Sequence, residues 1–231
     1  MINKLIAQTL PYFPKRFVWI FSKKYIAGES IDEAVLASKQ LNEKGIMATI
    51  DLLGEFITNL EQAHENKLGY LNIIRTFCQA GINANFSLKP TSFGLLLDRE
   101  VCYQNIREII ACAASYQNFV RIDMEDSKCV DMEIELYNRL REEFPTSVGL
   151  VIQAYLKRTV GDIEKLLATH TPDKPLNFRL CKGIYIESPE IAYKNRQIIN
   201  NNYLHCLELL LAQGVYVGIA THDRTLVQGA L

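Results

Sequence analysis

The sequence lacks an excess of charge of either sign, closely paired cysteines and long apolar runs. Its 25 Lys and Arg residues nearly balance 26 Asp and Glu residues, and the net charge of −1 gives no basic footprint for nucleic acid. No CxxC or CxxH spacing joins the six cysteines, and no secretory signal precedes them, so we expect reduced thiols in a cytoplasmic protein. No run reaches the roughly 20 apolar residues of a membrane span. These absences leave a globular chain of 231 residues, large enough for one sizeable core.

Motifs typical of several enzyme classes are also missing. The sequence has no Walker loop, no GxGxxG after its first strand-like run and no serine nucleophile elbow. It has no HExxH or paired-histidine spacing, so we predict no metal site. Basic residues flank Phe17–Phe21 and would allow a peripheral contact with an anionic membrane, but a solvated helix over about Lys15 to Ile26 is the simpler interpretation.

The sequence does contain a repeated alternation of short apolar runs with helical segments. Six such runs begin at intervals of roughly 30 to 40 residues, which predicts a parallel sheet. They are Met47–Leu53, Ala84–Pro90, Phe119–Glu125, Gly149–Leu156, Asn177–Tyr185 and Tyr216–Asp223. No linker interrupts them, so we predict a helical segment over residues 1–45 and a single barrel domain over residues 46–231.

Local signals predict several helix ends. The stretch Ser30–Glu33 has the spacing of a capping box, and Gly45 suits the left-handed turn after a helix. A long helix is predicted over Glu55–Ala80. The pair Ser188 and Pro189 predicts the start of the fifth helix, with serine as N-cap and proline at the first helical position.

Polar side chains gather where the six runs end. They are Asp51, Lys89, Asp123, Glu125, Gln153, Arg179, Lys182, Thr221 and His222. An active site at the carboxyl ends of the strands is typical of a (β/α)8 TIM-type barrel, so we predict that α/β fold. Such a barrel needs eight units and about 250 residues. Residues 224–231 leave too little sequence even for a sixth helix, so we expect an incomplete barrel without its last strands and final helix.

Four of these positions allow more than one interpretation. Lys89 is either a solvated loop lysine or a cation paired with a carboxylate at the barrel mouth, because lysine is depleted in strands. Asp123 and Glu125 share one face, and they could favour a helix N-terminus, bind a metal with His222, or pair with Lys89. Gln153 lies in an apolar run, where a buried amide must bind either the backbone or a ligand.

The stretch Asn177–Glu187 carries two cations close to an apolar strand. Arg179 and Lys182 either protect a solvated sheet edge or face a charged ligand, because burying an unpaired charge is costly. With Lys89, Thr221 and His222 they form a mouth rich in hydrogen-bond donors. Donors of this kind suit a phosphate or a redox cofactor, which the protein orients and surrounds with charge.

These motifs together resemble the proline dehydrogenase family in its bacterial monofunctional form. The stretches occur in the family's order and extend over most of the chain. They are Tyr25–Glu29, Ile50–Glu55, Ser87–Gly94, Arg121–Ser127, Val151–Thr159, Arg179–Glu187 and Ala220–Asp223. The resemblance implies a barrel flavoenzyme that oxidises L-proline to Δ1-pyrroline-5-carboxylate with FAD. It also implies a quinone-type electron acceptor at a membrane.

The resemblance also implies roles for individual residues. Asp123 and Arg179 would be catalytic, with Arg179 beside the reactive edge of the flavin, whereas Lys89 and Tyr185 would bind substrate and Lys89 would pair with Asp123. The residues implied to bind FAD are Met124, Gln153, Arg179, Lys182, Gly183, Ile184, Thr221 and His222. Members of the family often have alanine where this chain has Ile184, a change that could narrow the pocket.

The family also has an arginine pair near its C-terminus that clamps the proline carboxylate. No counterpart follows the match at Ala220–Asp223, so we expect the 231-residue chain to have impaired activity. Two alternatives remain open: a barrel remnant without catalysis, and a metal-dependent lyase or aldolase that uses Asp123, Glu125 and His222.

Overall fold

The computed structural model describes Gly28 and residues 30–230. The helix predicted over Lys15–Ile26 and the apolar stretch Phe17–Phe21 lie outside these residues. Contacts divide the described residues into two units, one formed by those up to Ala48 with residues 76–84 and the other by residues 49–75 and 85–230. None of the described helices is both long enough and apolar enough to span a membrane.

The first unit contains helix α1, which spans Ile31–Asn42. Its capping box is confirmed, since the Ser30 hydroxyl accepts from the Glu33 amide and the Glu33 carboxylate accepts from the Ser30 amide. Gly45 adopts a φ of 75°, as predicted for the turn after the helix. The Asn42 side chain then exchanges hydrogen bonds with the backbone of Asn83, at 2.7 and 3.0 Å, so the turns after two helices are joined.

The second unit contains nearly all of a six-stranded parallel sheet. Its strands follow one another in the sheet in the same order as in the chain. They are β1 (Ala48–Ile50), β2 (Ala84–Leu88), β3 (Val120–Ile122), β4 (Val148–Gln153), β5 (Asn177–Cys181) and β6 (Tyr216–Ala220). This order confirms the predicted α/β fold of the (β/α)-barrel type, with six strands among the described residues.

Each strand is followed by helical structure, as the alternating pattern predicted. The helices are α2 (Leu60–Gln79), α3 (Arg99–Ser115), α4 (Val130–Glu143), α5 (Thr159–Leu167), α6 (Arg196–Ala212) and α7 (Arg224–Gly229), with a 3₁₀ helix over Pro90–Phe93 before α3. Every residue of β3 and β4 is buried, as expected of parallel strands covered on both faces. Strand β6 is more exposed than these central strands.

Three predictions about helix boundaries were wrong. Helix α6 begins at Arg196 with Asn195 as its N-cap, because the residues after Ser188 form a bridge between Ala192 and Leu156 instead. Helix α2 begins at Leu60 rather than Glu55, after a loop that contains a positive φ. The short sequence after β6 does form a helix, which the Asp223 side chain caps by accepting from the amide of Thr225.

Candidate active site at the carboxyl ends of the strands

A charged cluster lies at the carboxyl ends of β1, β2, β3 and β5. Parallel strands bring these ends to one edge of the sheet, which explains why residues far apart in the sequence meet there. Lys89 follows β2, Asp51 follows β1, Asp123 follows β3, and Arg179 projects from within β5. The cluster therefore contains two cations and two carboxylates, all of them only partly exposed.

Lys89 contacts two carboxylates. Its Nζ lies 2.8 Å from Asp51 Oδ2 and 3.7 Å from Asp123 Oδ2. Burial opposes the charge of Lys89, but the hydrogen bond and charge of Asp51, with the charge of Asp123, outweigh it and raise the pKa of the lysine. The predicted partner Asp123 is therefore the more distant one. Asp51, which the sequence indicated only as a polar strand end, makes the direct ion pair.

Asp123 is held by partners from two other strands. Its Oδ1 accepts a hydrogen bond from Ser87 Oγ at 2.5 Å and lies 3.4 Å from Arg179 Nη1. Burial raises the pKa of this carboxyl above its usual value, although Ser87, Arg179 and Lys89 act in the opposite direction. Asp123 and Arg179 thus lie together, as their implied catalytic roles require.

Tyr70 supports the cluster from helix α2 and was not predicted from the sequence. Its buried hydroxyl lies 2.9 Å from Asp51 Oδ1 and 2.7 Å from the Ser87 carbonyl, and it accepts from the Leu52 amide at 3.2 Å. Burial, followed by the charge of Asp51, raises the pKa of this phenol well above its usual value. A helical tyrosine carries no local signal of such a role, because only the fold brings it to the ends of β1 and β2.

A cavity of about 590 Å³ opens where β5 and β6 end. Five of the residues predicted to bind a cofactor line it: Lys182, Gly183, Ile184, Thr221 and His222. Its other lining residues are Cys181, Arg196, Ala220 and Asp223. The volume lies within the range of about 300 to 1,000 Å³ that is usual for ligand pockets.

Asp223 organises the cations of this cavity. Its Oδ2 lies 2.7 Å from Lys182 Nζ and 2.8 Å from Arg196 Nη2, and it accepts from Asn200 Nδ2 at 3.3 Å. The hydrogen bonds from Lys182 and Arg196 hold the pKa of this carboxyl far below its usual range. Asn200 Oδ1 is buried without a hydrogen-bond partner among the described residues. Sequence reasoning missed Arg196 and Asn200, which lie on α6 and not at a strand end.

Gly183 is required where it stands in the cavity wall. Its φ of 109° disfavours any residue with a side chain, and a Cβ there would come within 2.0 Å of the Tyr155 ring. The Tyr155 amide donates to the Lys182 carbonyl at 2.8 Å, so the loops after β4 and β5 are packed against each other. This packing fixes the start of the loop that carries the exposed Ile184.

The remaining predicted site residues lie apart from the cavity lining. Met124 and Gln153 are buried, and Gln153 Nε2 donates to the Glu125 carbonyl at 2.8 Å. The Tyr185 hydroxyl lies 3.5 Å from Glu55 Oε2. Burial, with the charges of Glu125 and Glu55, raises the pKa of this tyrosine far above its usual value. Gln153 thus binds the backbone, which is one of the two roles that its position allowed.

The residues of the metal-dependent alternative have other contacts in the structure. Among the described residues, no group of three or more His, Cys, Asp or Glu side chains is placed to hold a metal ion. Both Glu125 oxygens accept hydrogen bonds from Thr91, at 2.6 and 2.9 Å, and Asp123 is bound to Ser87. His222 follows β6 and lies in the cavity wall.

Two buried carboxyl groups, Glu125 and Glu133, predict a pH-dependent stability. Burial and the neighbouring Glu125 raise the pKa of Glu133 from its usual 4.5 to about 9, and burial raises the pKa of Glu125 to about 7. The folded chain holds these protons more tightly than the unfolded chain. The contribution of these two groups to the free energy of unfolding should therefore be fully present near or below about pH 4.5 and fall as the pH rises through these values.

We expect the melting temperature to fall by about 5 °C or more between about pH 5 and about pH 9, since each pKa unit corresponds to about 1.4 kcal/mol. The variant Glu133→Gln mimics the protonated acid, so its melting temperature should depend much less on pH. Thermal unfolding by circular dichroism measures both. Parallel pH profiles of the two proteins would contradict this account.

The donor set of the cavity fits FAD. Two cations, a hydroxyl, an imidazole and a loop around Gly183 surround a space of ligand size, and a buried amide oxygen beside it lacks a partner. Cations and backbone amides suit the diphosphate of such a cofactor.

Comparison with known proteins identifies relatives. The family model described as proline dehydrogenase matches residues 34–231. The chain is 34% identical to proline dehydrogenase 1 of Bacillus subtilis (strain 168) over 95% of its own length and 71% of that protein. It is 35% identical to the proline dehydrogenase of Deinococcus radiodurans, over 91% of the chain and 67% of that protein.

A solved structure supports the fold independently. The crystal structure of proline utilization A (PutA) from Bdellovibrio bacteriovorus superposes with a TM-score of 0.85 at 22% identity. The match covers 98% of this chain and 28% of the PutA chain. The sequence relatives, with the family model that extends over most of the chain, establish its family: the chain belongs to the proline dehydrogenases, oxidoreductases of proline catabolism.

Proposed function

We propose that the chain takes part in the FAD-dependent oxidation of L-proline to Δ1-pyrroline-5-carboxylate. The observation that carries the proposal is the position of Arg179, which contacts the charged cluster at Asp123 and precedes the cavity-lining residues Cys181 and Lys182 by only a few positions. A substrate site at Lys89 and Asp123 and a cofactor site at Lys182 can therefore share one boundary.

The cavity side of this arrangement suits cofactor binding. Lys182 and Arg196 would hold the diphosphate, Thr221 and His222 would donate hydrogen bonds, and Gly183 lets the backbone approach closely. Bound FAD would supply the acceptor for a hydride from C5 of proline. Arg179 provides a fixed cation where negative charge would develop on the cofactor.

The charged cluster suits substrate binding. Lys89 is a cation held in place by Asp51, and Asp123 is oriented by Ser87 and Arg179. We infer that the Lys89–Asp123 pair shapes the proline pocket, and that Tyr185 forms part of its wall. The amine of proline must also lose a proton when its C5–H bond breaks.

We extend the proposal to the electron acceptor and the location. A quinone-type acceptor would take the electrons from the reduced cofactor, so a cytoplasmic protein would need at least transient contact with a membrane. Membership of the proline dehydrogenase family supports this part of the proposal.

The cofactor part is tested by FAD binding. Lys182→Ala should lower the affinity for FAD by about tenfold or more, because an interaction of about 1.4 kcal/mol or more with the diphosphate is lost. Lys165→Ala, on the exposed surface of α5, is the matched control and should bind FAD like the parent chain. Titration monitored by flavin fluorescence measures the FAD affinity of the parent chain and of both variants. Equal affinities for the two variants would refute the assignment of Lys182.

A further inference from the structure

Glu125 is a buried carboxylate to which the implied roles give no function. It has no exposed surface, and both its oxygens bind the same residue. Oε2 accepts from the Thr91 amide at 2.9 Å, and Oε1 accepts from Thr91 Oγ1 at 2.6 Å. Two bonds between one pair of residues fix both their distance and their orientation. The carboxylate thus joins the end of β3 to the 3₁₀ helix that follows β2.

Thr91 extends this connection to the loop after β1. Its hydroxyl accepts from the Phe56 amide at 3.0 Å, and the neighbouring Ser92 Oγ donates to the Gly54 carbonyl at 2.5 Å. Phe56 has a φ of 53°, which is unfavourable for a residue with a side chain. A strained residue persists only where its surroundings hold it, and Thr91 supplies that restraint.

The backbone of Glu125 makes two further connections. Its carbonyl accepts from Gln153 Nε2 at the end of β4, at 2.8 Å, and its amide donates to the Glu133 carboxylate of α4 at 3.0 Å. Directly or through Thr91, Glu125 therefore connects the loops or ends of four successive strands, β1 to β4. We call Glu125, Thr91 and Phe56 the strand-end relay.

Two residues of the strand-end relay closely follow residues of the charged cluster in the sequence, and the third follows a residue that lies near Tyr185. Thr91 is two residues after Lys89, Glu125 is two residues after Asp123, and Phe56 follows Glu55, which lies 3.5 Å from the Tyr185 hydroxyl. A shift of the 3₁₀ helix would move Lys89 relative to Asp123. Release of Phe56 would free the loop that carries Glu55.

We propose that Glu125 is a positioning residue of the active site, which acts through Thr91 to hold Lys89 and the Glu55 loop in place for proline binding. This inference rests on the proposed oxidation of proline. A purely structural role for Glu125 would affect stability but leave the dependence of the reaction on proline concentration unchanged.

Two substitutions at Thr91 test the relay in the flavin-loaded full chain. Thr91→Val keeps the shape of the side chain and the hydrogen bond from the backbone amide to Glu125, but it removes the hydroxyl. Thr91→Ser keeps the hydroxyl. We expect Thr91→Val to raise the proline concentration for half-maximal flavin reduction by about tenfold, with a smaller effect on the limiting rate, because both hydrogen bonds of the hydroxyl, to Glu125 and from Phe56, are lost. Thr91→Ser should restore the parent value to within about threefold.

A second readout does not depend on activity. A Glu-specific protease should cleave after Glu55 about tenfold faster in Thr91→Val than in the parent or Thr91→Ser, because the loop opens more often. If Thr91→Val does not fold, Glu125→Gln serves instead, since the amide nitrogen that replaces one carboxylate oxygen cannot accept a hydrogen bond from Thr91.

Unchanged proline dependence and unchanged cleavage in Thr91→Val would overturn the inference. Faster cleavage with unchanged proline dependence would also overturn it, since the loop would then be released without consequence for substrate. If proline fails to reduce the parent chain, the proposed function fails. Cleavage at Glu55 then still decides whether Thr91 holds the loop.

Discussion

Replacing Arg179 with methionine will slow the reduction of bound flavin by proline by about 10² to 10³-fold, the usual effect of removing a fixed group that stabilises developing charge. Arg179 Nη1 lies 3.4 Å from Asp123 Oδ1 and 3.3 Å from Ser87 Oγ, so its guanidinium is held in place before any ligand binds. Methionine keeps the length of the side chain and removes the cation. Rapid mixing without oxygen, followed at the visible flavin band, measures the rate.

The matched control for this prediction is Arg179→Lys. Lysine keeps the charge but not the planar geometry with two donor groups. We therefore expect a rate of flavin reduction between that of the parent chain and that of Arg179→Met. Flavin content must be measured in each variant, which separates a slower reaction from a lost cofactor. A methionine variant that binds FAD and reacts within threefold of the parent rate would show that Arg179 has no role in the reaction.

Replacing Lys89 with methionine will destabilise the folded chain by about 3 kcal/mol, near the lower end of the range for breaking a buried ion pair. The lysine side chain is 20% exposed, which reduces the penalty, but its loss leaves Asp51 and Asp123 facing each other with less compensation. Urea unfolding measures the change. We also expect this variant to lose most of its proline-dependent flavin reduction, because the cation beside the substrate is gone.

A double variant distinguishes charge from packing. In Lys89→Met with Asp51→Asn, one carboxylate is neutralised together with the cation, so much of the lost free energy of unfolding should return. Proline-dependent reduction should remain low. If the single variant is as stable as the parent chain, or if the double variant recovers none of the loss, the ion pair at 2.8 Å has little energetic importance.

The sequence predicted those features of the site that depend on the strand pattern. Lys89, Asp123, Arg179 and Lys182 could be found because each lies in or just after an apolar run, and parallel strands end at one edge. Which of these residues pair with one another could not be found in the same way. Asp51 is 38 residues from Lys89, and only the packing of β1 beside β2 decides that it lies nearer than Asp123.

The strand pattern does not identify the site residues that lie on helices. Tyr70 lies on α2 and Asn200 on α6, where a polar side chain usually faces solvent, and no local pattern distinguishes them. The pair Ser188 and Pro189 gave a good local signal for a helix start, yet the bridge from Ala192 to Leu156 prevailed. Tertiary contacts therefore override local preference around this site, as they often do.

The position of Glu125 at the end of a strand could be predicted from the sequence, but its hydrogen-bond partner could not. Its spacing from Asp123 indicated a shared face, and an acidic helix end, a metal ligand or a partner for Lys89 all remained open. The structure instead directs both carboxylate oxygens to Thr91, a residue without any signal of its own in the sequence. Sequence spacing identified the face, but hydrogen-bond partners depended on the 3₁₀ helix after β2.

The most direct test of the proposed site is the visible spectrum of the FAD-loaded chain as L-proline is added in the absence of oxygen. The account predicts that the absorbance of the oxidised flavin falls as the proline concentration rises. It also predicts that this absorbance falls far more slowly in Arg179→Met. A chain that binds FAD tightly but keeps an unchanged flavin spectrum at every proline concentration would contradict it.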